Sequence, residues 1–323
     1  MTAQELKEKL NAVASLTSIG INVFFIMKDT FVVKKANIAN EAAEVLINAY
    51  KQNICNMSSM MGSGIGELSV LNLSDADDRA SAIYRYDLNE KPPLFNSFVE
   101  IASHSEGDYF SETNSRVFNF KKDKLNDIDA FVTIIGHADQ SLMVYRKNYS
   151  VNLFKRDRIF LIKESDIRFD TMRDDFIRLD AKIDFIRIDG EVFICNLDVL
   201  EKFCGYDQII TKEATDSIRS IETLGLVSNI EVLSSRLDEI RFARKLTKVS
   251  KNSPVFNISQ SDIIKFTKTH PFLKDKFKYS SDGSQIELNS KRAQDNFIKL
   301  LNDDFLHSEL TKEEYESPSK NKL

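Results

Sequence analysis

Residues Ile183 to Gly205 read IDFIRIDGEVFICNLDVLEKFCG, and no other stretch narrows the choice of fold as much. Asp189-Gly190 joins two short apolar runs, and Asp-Gly between β-formers calls for a two-residue hairpin turn. Such a turn sets the register: Ile188 faces Glu191, Ile186 faces Phe193, and Phe185 faces Ile194. Apolar side chains then occupy both faces of the ribbon, which places it inside a core. Asn196 is suited to cap a helix, Leu197, Leu200 and Cys204 share one helical face, and Gly205 sits where a glycine ends a helix.

Before this point the patterns are mostly those of strands, and after it mostly those of helices. The expected class is therefore α+β: a mostly antiparallel, β-rich N-terminal half with flanking helices, then a mainly helical C-terminal half containing a β-hairpin. Three regions are expected: 1–205, 206–314 and a polar, disordered tail at 315–323. Thr2 and Glu5 form a capping-box pattern ahead of Leu6, Leu10 and Val13. From Ala130 a β-meander is expected over 130–135, 142–149, 159–163 and 176–179. In the second half Thr211 is placed to cap one helix, and Ser228 with Glu231 to start a long helix running to about Lys248. Ser259 begins another, which Pro271 stops. A hairpin spans 276–288, and Ala293, Phe297, Leu300, Leu301 and Phe305 mark the last helix.

Cys55, Cys195 and Cys204 follow neither a disulfide framework nor a zinc spacing. No apolar run approaches the roughly 20 residues that span a bilayer, and no leader pattern opens the chain. A cytoplasmic protein without a transmembrane segment of its own is expected. The net charge of −5 hides an uneven distribution. Residues 1–140 hold 13 Lys/Arg against 19 Asp/Glu, whereas residues 241–300 hold 13 against 5. Local patches, not totals, decide whether a polyanion binds.

Three basic groups stand out. Arg241, Arg244, Lys245 and Lys248 recur at helical spacing, a rail for phosphates or simply a solvated face. Lys265, Lys268, Lys274, Lys276 and Lys278 interleave with Phe266, Phe272 and Phe277 in KFTKTHPFLKDKFK, which fits phosphate binding or a protected sheet edge equally. Arg146, Lys147, Lys155 and Arg156 are interleaved with Tyr145, Tyr149 and Phe154, as in surfaces that hold a nucleic-acid backbone and stack bases. Catalytic patterns are poor. The glycines at 62–66 lack a following lysine and lead into a strand, so no phosphate loop is read there. The four histidines are scattered. Asp170, Asp180 and Lys182 form the best nuclease set, with Mg²⁺ as its only cofactor; otherwise no cofactor or metal is expected.

The segments IDGEVFICNLDVLEKFCGY at 188–206, LSSRLDEIRFARKL at 233–246 and IIKFTKTHPFLKDKFKYSSDGSQIELNSKRAQDNFIKLLNDDFL at 263–306 resemble the DUF4868 family, known from the Kiwa antiphage defence system. The opening MTAQELKEKL is also similar. The resemblance implies a cytoplasmic, homodimeric effector that binds DNA and docks on a small membrane protein, KwaA. It supplies no catalytic residues. The resulting expectation is a DNA-binding defence effector making phosphate contacts, with a metal-dependent nuclease and a non-enzymatic assembly module as alternatives.

Overall fold

The computed structural model describes residues 1–62, 67–76, 81–104, 110–111, 115–137, 140–154, 161–163, 165–171 and 174–317. The chain divides into two compact units, Met1–Val70 with Pro92–Val199, and Leu71–Lys91 with Leu200–Leu323.

In chain order the elements begin with α1 (Ala3–Ser15), β1 (Gly20–Met27), β2 (Val33–Ala36), α2 (Asn40–Met60), β3 (Ser69–Asn72), β4 (Ala82–Arg85) and α3 (Leu94–Ser103). There follow β5 (Ile128–His137), β6 (Gln140–Lys147), β7 (Leu153–Phe154), β8 (Leu161–Lys163), β9 (Phe169–Thr171), β10 (Phe176–Ile177), β11 (Phe185–Ile188) and β12 (Glu191–Ile194). The remainder is α4 (Leu197–Phe203), α5 (Tyr206–Glu222), α6 (Ile240–Asn252), α7 (Gln260–Thr269), β13 (Lys278–Tyr279), β14 (Ile286–Glu287), α8 (Lys291–Leu301), β15 (Phe305–His307) and β16 (Glu314–Glu316).

Six strands of the first unit lie in the order β2-β1-β5-β6-β11-β12, every neighbouring pair antiparallel. The β11–β12 register is the one the Asp-Gly turn demands: Ile188 opposite Glu191, Ile186 opposite Phe193, Phe185 opposite Ile194. Asp189 and Gly190 both take positive φ, at 50° and 81°, which matches the twist of the flanking strands. The meander is not continuous. β6 pairs directly with β11, while the stretch between them folds into two separate ladders, β7–β10 and β8–β9.

Residues opposite one another in register point to one face, so Phe24, Val132, Tyr145, Phe185 and Ile194 form a row across the sheet. Phe98 of α3 packs on that row, its ring 5.7 Å from Tyr145. On the other face, the Tyr50 hydroxyl of α2 meets the Thr133 hydroxyl at 3.1 Å. α1 begins with the reciprocal cap its sequence announces: Thr2 accepts from the Glu5 amide, and the Glu5 carboxylate accepts from the Thr2 amide.

In the second unit, Gly205 takes left-handed φ of 69° between α4 and α5. α5 starts there and not at Thr211, which lies inside the helix and donates to the Leu237 carbonyl at 3.3 Å. The long helix expected from Ser228 is two pieces, a 3-10 segment Ile230–Arg236 and then α6. The break has a cause. Arg236 folds its guanidinium back onto Glu239 (2.7 and 3.2 Å), so Glu239 becomes the residue before α6. Ser259 caps α7, which ends before Pro271 as expected. Phe305 lies beyond α8, on β15, and pairs with Glu316 of β16. Tyr315 and Glu316 are thus strand residues and the Ser317 amide donates to the Asp304 carbonyl at 2.8 Å, while 318–323 fall outside the described residues.

Candidate nucleic-acid interface

The cations singled out in the sequence separate into two environments. Arg146 and Lys147 end β6, which has β5 on one side and β11 on the other. Every β6 residue from Leu142 to Lys147 is buried, so both faces are covered here and alternation cannot bring either side chain to the surface. Arg146 is buried and doubly paired. Its Nε and Nη2 donate to Asp180 at 2.8 and 3.1 Å, and its Nη1 donates to both Asp184 oxygens at 3.1 and 3.2 Å. Asp184, 2% exposed, also accepts from the Lys147 amide and the Asn196 side chain. Burial pulls the Asp180 carboxyl upward, but the Arg146 guanidinium outweighs it and holds that carboxyl below its ordinary range. Lys147 is buried against Asp129. Both cations therefore act within the fold, and neither is presented to a ligand. Lys155 and Arg156 lie outside the described residues.

The four basic residues of α6 do not form a uniform rail. Arg244 is 5% exposed, turned toward α4, and ion-paired with Glu201. Lys245 and Lys248 are half-buried and engaged by other groups of the protein. Arg241 alone of the four is exposed.

The block Lys265–Lys278 is different. Ile264, Thr267, Leu273 and Phe277 turn inward, and Lys265, Lys268, Lys274, Lys276 and Lys278 are all exposed. α7 is tied to β13 by the Tyr279 hydroxyl, which donates to Thr267 at 3.0 Å. Lys268 reinforces that junction, with its ammonium 4.7 Å from the Tyr279 ring and donating to the Gly283 carbonyl at 2.9 Å. Lys265, Lys274, Lys276 and Lys278 form no ion pair with any described carboxylate. Phe266 and Phe272 stay exposed and pack around His270, at 4.6 and 5.9 Å between centroids.

Of the nuclease set, Asp180 is given over to Arg146, and Lys182 only donates its amide to Asp180 at 3.2 Å. Asp170 sits on β9, in a ladder separate from the main sheet, with one carboxylate oxygen accepting from the Thr171 amide. Among the described residues no group of three His, Cys, Asp or Glu side chains is arranged to hold a metal.

Sequence reasoning missed Arg236, a cation of the second unit bound to several carboxylates and an aromatic ring. Besides Glu239 it binds Asp295 at 2.8 Å and stacks over Phe242 at 4.1 Å. Its partners lie up to 59 residues away, beyond any local pattern. Hydrogen bonds from Arg236 and Lys291 pull the Glu239 carboxyl down to about 2 from an ordinary 4.5. A carboxyl lowered in the folded state contributes stability above its unfolded value and loses it as pH falls toward the folded one. The stability difference between the native protein and Glu239→Gln is thus expected to hold from neutral pH to about 4.5, then vanish toward about 2. Urea midpoints of both proteins across that range check it, and a constant difference at every pH counts against it.

The sequence model of a family described as Kiwa protein KwaB-like matches residues 125–311. The Kiwa protein KwaB of Escherichia coli O55:H7 (strain RM12579 / EPEC) is 29% identical over 334 aligned residues, covering 100% of this chain and 99% of that protein. No solved structure matches the chain. The family match begins just before β5 and runs past β15, so it takes in the central hairpin, the paired Arg146 and the exposed lysine block together. The chain belongs to the Kiwa protein KwaB-like family.

Proposed function

We propose that the protein is an antiphage defence effector that grips duplex DNA through its phosphates, using the exposed basic surface of α7 and β13. Membership of the Kiwa family supports the defence role. The observation that carries DNA binding is the set of exposed lysines 265, 274, 276 and 278, unmatched by described carboxylates and rooted in a packed helix–hairpin. Flexible ammonium groups without a planar, bidentate partner favour backbone contact over the reading of base edges. Exposed Phe266 and Phe272 lie in the same stretch and offer apolar surface to a strand.

The family resemblance supports the remainder of the reading: a cytoplasmic homodimer recruited to the inner face of the membrane by KwaA. No helix among the described residues is long and apolar enough to cross a membrane, consistent with anchoring through a partner. The nuclease alternative gains nothing from the geometry, because Asp180 is already committed to Arg146.

The deciding experiment titrates the purified chain alone with linear and circular duplex DNA, with and without Mg²⁺, over a salt series. Binding to both forms, uncut, with affinity falling steeply as salt rises, is expected. No shift without a partner protein would favour the assembly-module alternative. Mg²⁺-dependent cutting would favour the nuclease.

A further inference from the structure

One end of the main sheet in the first unit carries a cleft that the DNA-binding reading does not use. Asn22, Ile134, Met143 and Arg187 stand opposite one another in register across four strands, so their side chains share the face that α3 covers further along. The adjacent row is Gly20, Gly136 and Ser141. Two glycines and a serine leave that end of the sheet without bulk. At Gly136, with φ of 141°, an added Cβ would fall 2.2 Å from the Gln140 carbonyl, so the gap is built into the hairpin. The resulting cleft is about 450 Å³, within the range of small-molecule sites.

Its polar lining points to one kind of ligand. Arg187 is half-buried, and its guanidinium has no hydrogen bond or ion pair with any described residue. Asn22, Ser141 and His137 line the same cleft, and their side chains too have no described partner. The acid at the rim, Asp189, is neutralised by Lys9 at 2.7 Å. The protein therefore spends a partly desolvated cation and three further polar groups on a space it does not fill. The strongly buried arginines described here, Arg146, Arg236 and Arg244, are each ion-paired with carboxylates. A planar fork of donors beside neutral hydrogen-bonding groups suits a tetrahedral oxyanion with several free oxygens. The volume leaves room for more than the anion itself.

We propose that this cleft binds a small phosphate monoester, of nucleoside monophosphate size, with its phosphate on Arg187. The proposal is independent of the lysine surface of the second unit. It is tested on the full chain by calorimetric titration with AMP and with inorganic phosphate at up to millimolar concentrations. Saturable binding is expected, weakened roughly tenfold or more by Arg187→Met. Arg187→Lys, which keeps charge and stem but loses the fork, should also weaken it, and serves if the first variant does not fold. DNA affinity should be unchanged in both variants. No saturable binding of either probe, or binding that both variants leave intact, overturns the proposal. So does a loss of DNA affinity in Arg187→Met without any effect of AMP, which would make the cleft part of the DNA surface.

Discussion

Replacing Lys265, Lys274, Lys276 and Lys278 together by glutamine is expected to leave the protein folded and to cost most of its affinity for duplex DNA. All four are exposed, and surface changes of this kind shift stability by about 0.5 kcal/mol or less each. Each lysine that neutralises a phosphate releases condensed counterions, which sets both affinity and its salt dependence. Four such contacts correspond to a slope of log K against log salt flatter by up to roughly 3.6, and near ~0.1 M salt to a loss on the order of a hundredfold or more. The loss should be the same for unrelated DNA sequences, because phosphate contacts carry no base information. Anisotropy titrations at several salt concentrations measure both quantities. A variant with native unfolding and an unaltered slope would move the interface off α7 and β13.

Arg146→Met should fail in the opposite way, through the fold and not through the ligand. Removing the guanidinium leaves Asp180 and Asp184 without their counter-charge, the latter deep in the first unit. Breaking a buried pair by deleting one partner costs about 3–5 kcal/mol, a large share of the roughly 5–15 kcal/mol that holds an ordinary domain together. Urea unfolding should show a lower midpoint, and adding Asp184→Asn should recover part of the loss by removing an orphaned charge. DNA affinity per folded molecule should stay near that of the native protein. A destabilisation below about 1 kcal/mol would mean that the pair breaks even against its desolvation.

The contrast between these two substitutions shows where the sequence was readable. Arg146 and Lys278 both lie next to aromatic residues on a strand, and no local pattern tells them apart. What differs is strand position: β6 lies within the main sheet with both faces buried, whereas β13 belongs to a two-stranded hairpin. Neighbour order depends on pairings tens of residues apart, such as β6 with β11, and Asp180 and Asp184 follow Arg146 by 34 and 38 residues. The central hairpin was legible because its turn chemistry is local and its register follows from the turn. Caps at Thr2 and Ser259 were legible for the same reason. The start of α5 and the break before α6 were not. Gly205 serves as the end of one helix and the threshold of the next, and Arg236 folds back on Glu239 while also held by Asp295, 59 residues away.

The second unit draws on two separate lengths of chain, Leu71–Lys91 and Leu200–Leu323. Leu73, Ala76, Ile83, Tyr84 and Leu88 from the earlier length are all shielded from solvent, and Asn252 and Lys212 of the later length bond to Asp75 and Glu90. During synthesis the earlier piece must therefore wait, unfinished, for more than a hundred residues to follow. Cutting the gene at Leu200 to obtain a minimal DNA-binding fragment would yield a body missing part of its interior, however intact its lysines looked on paper.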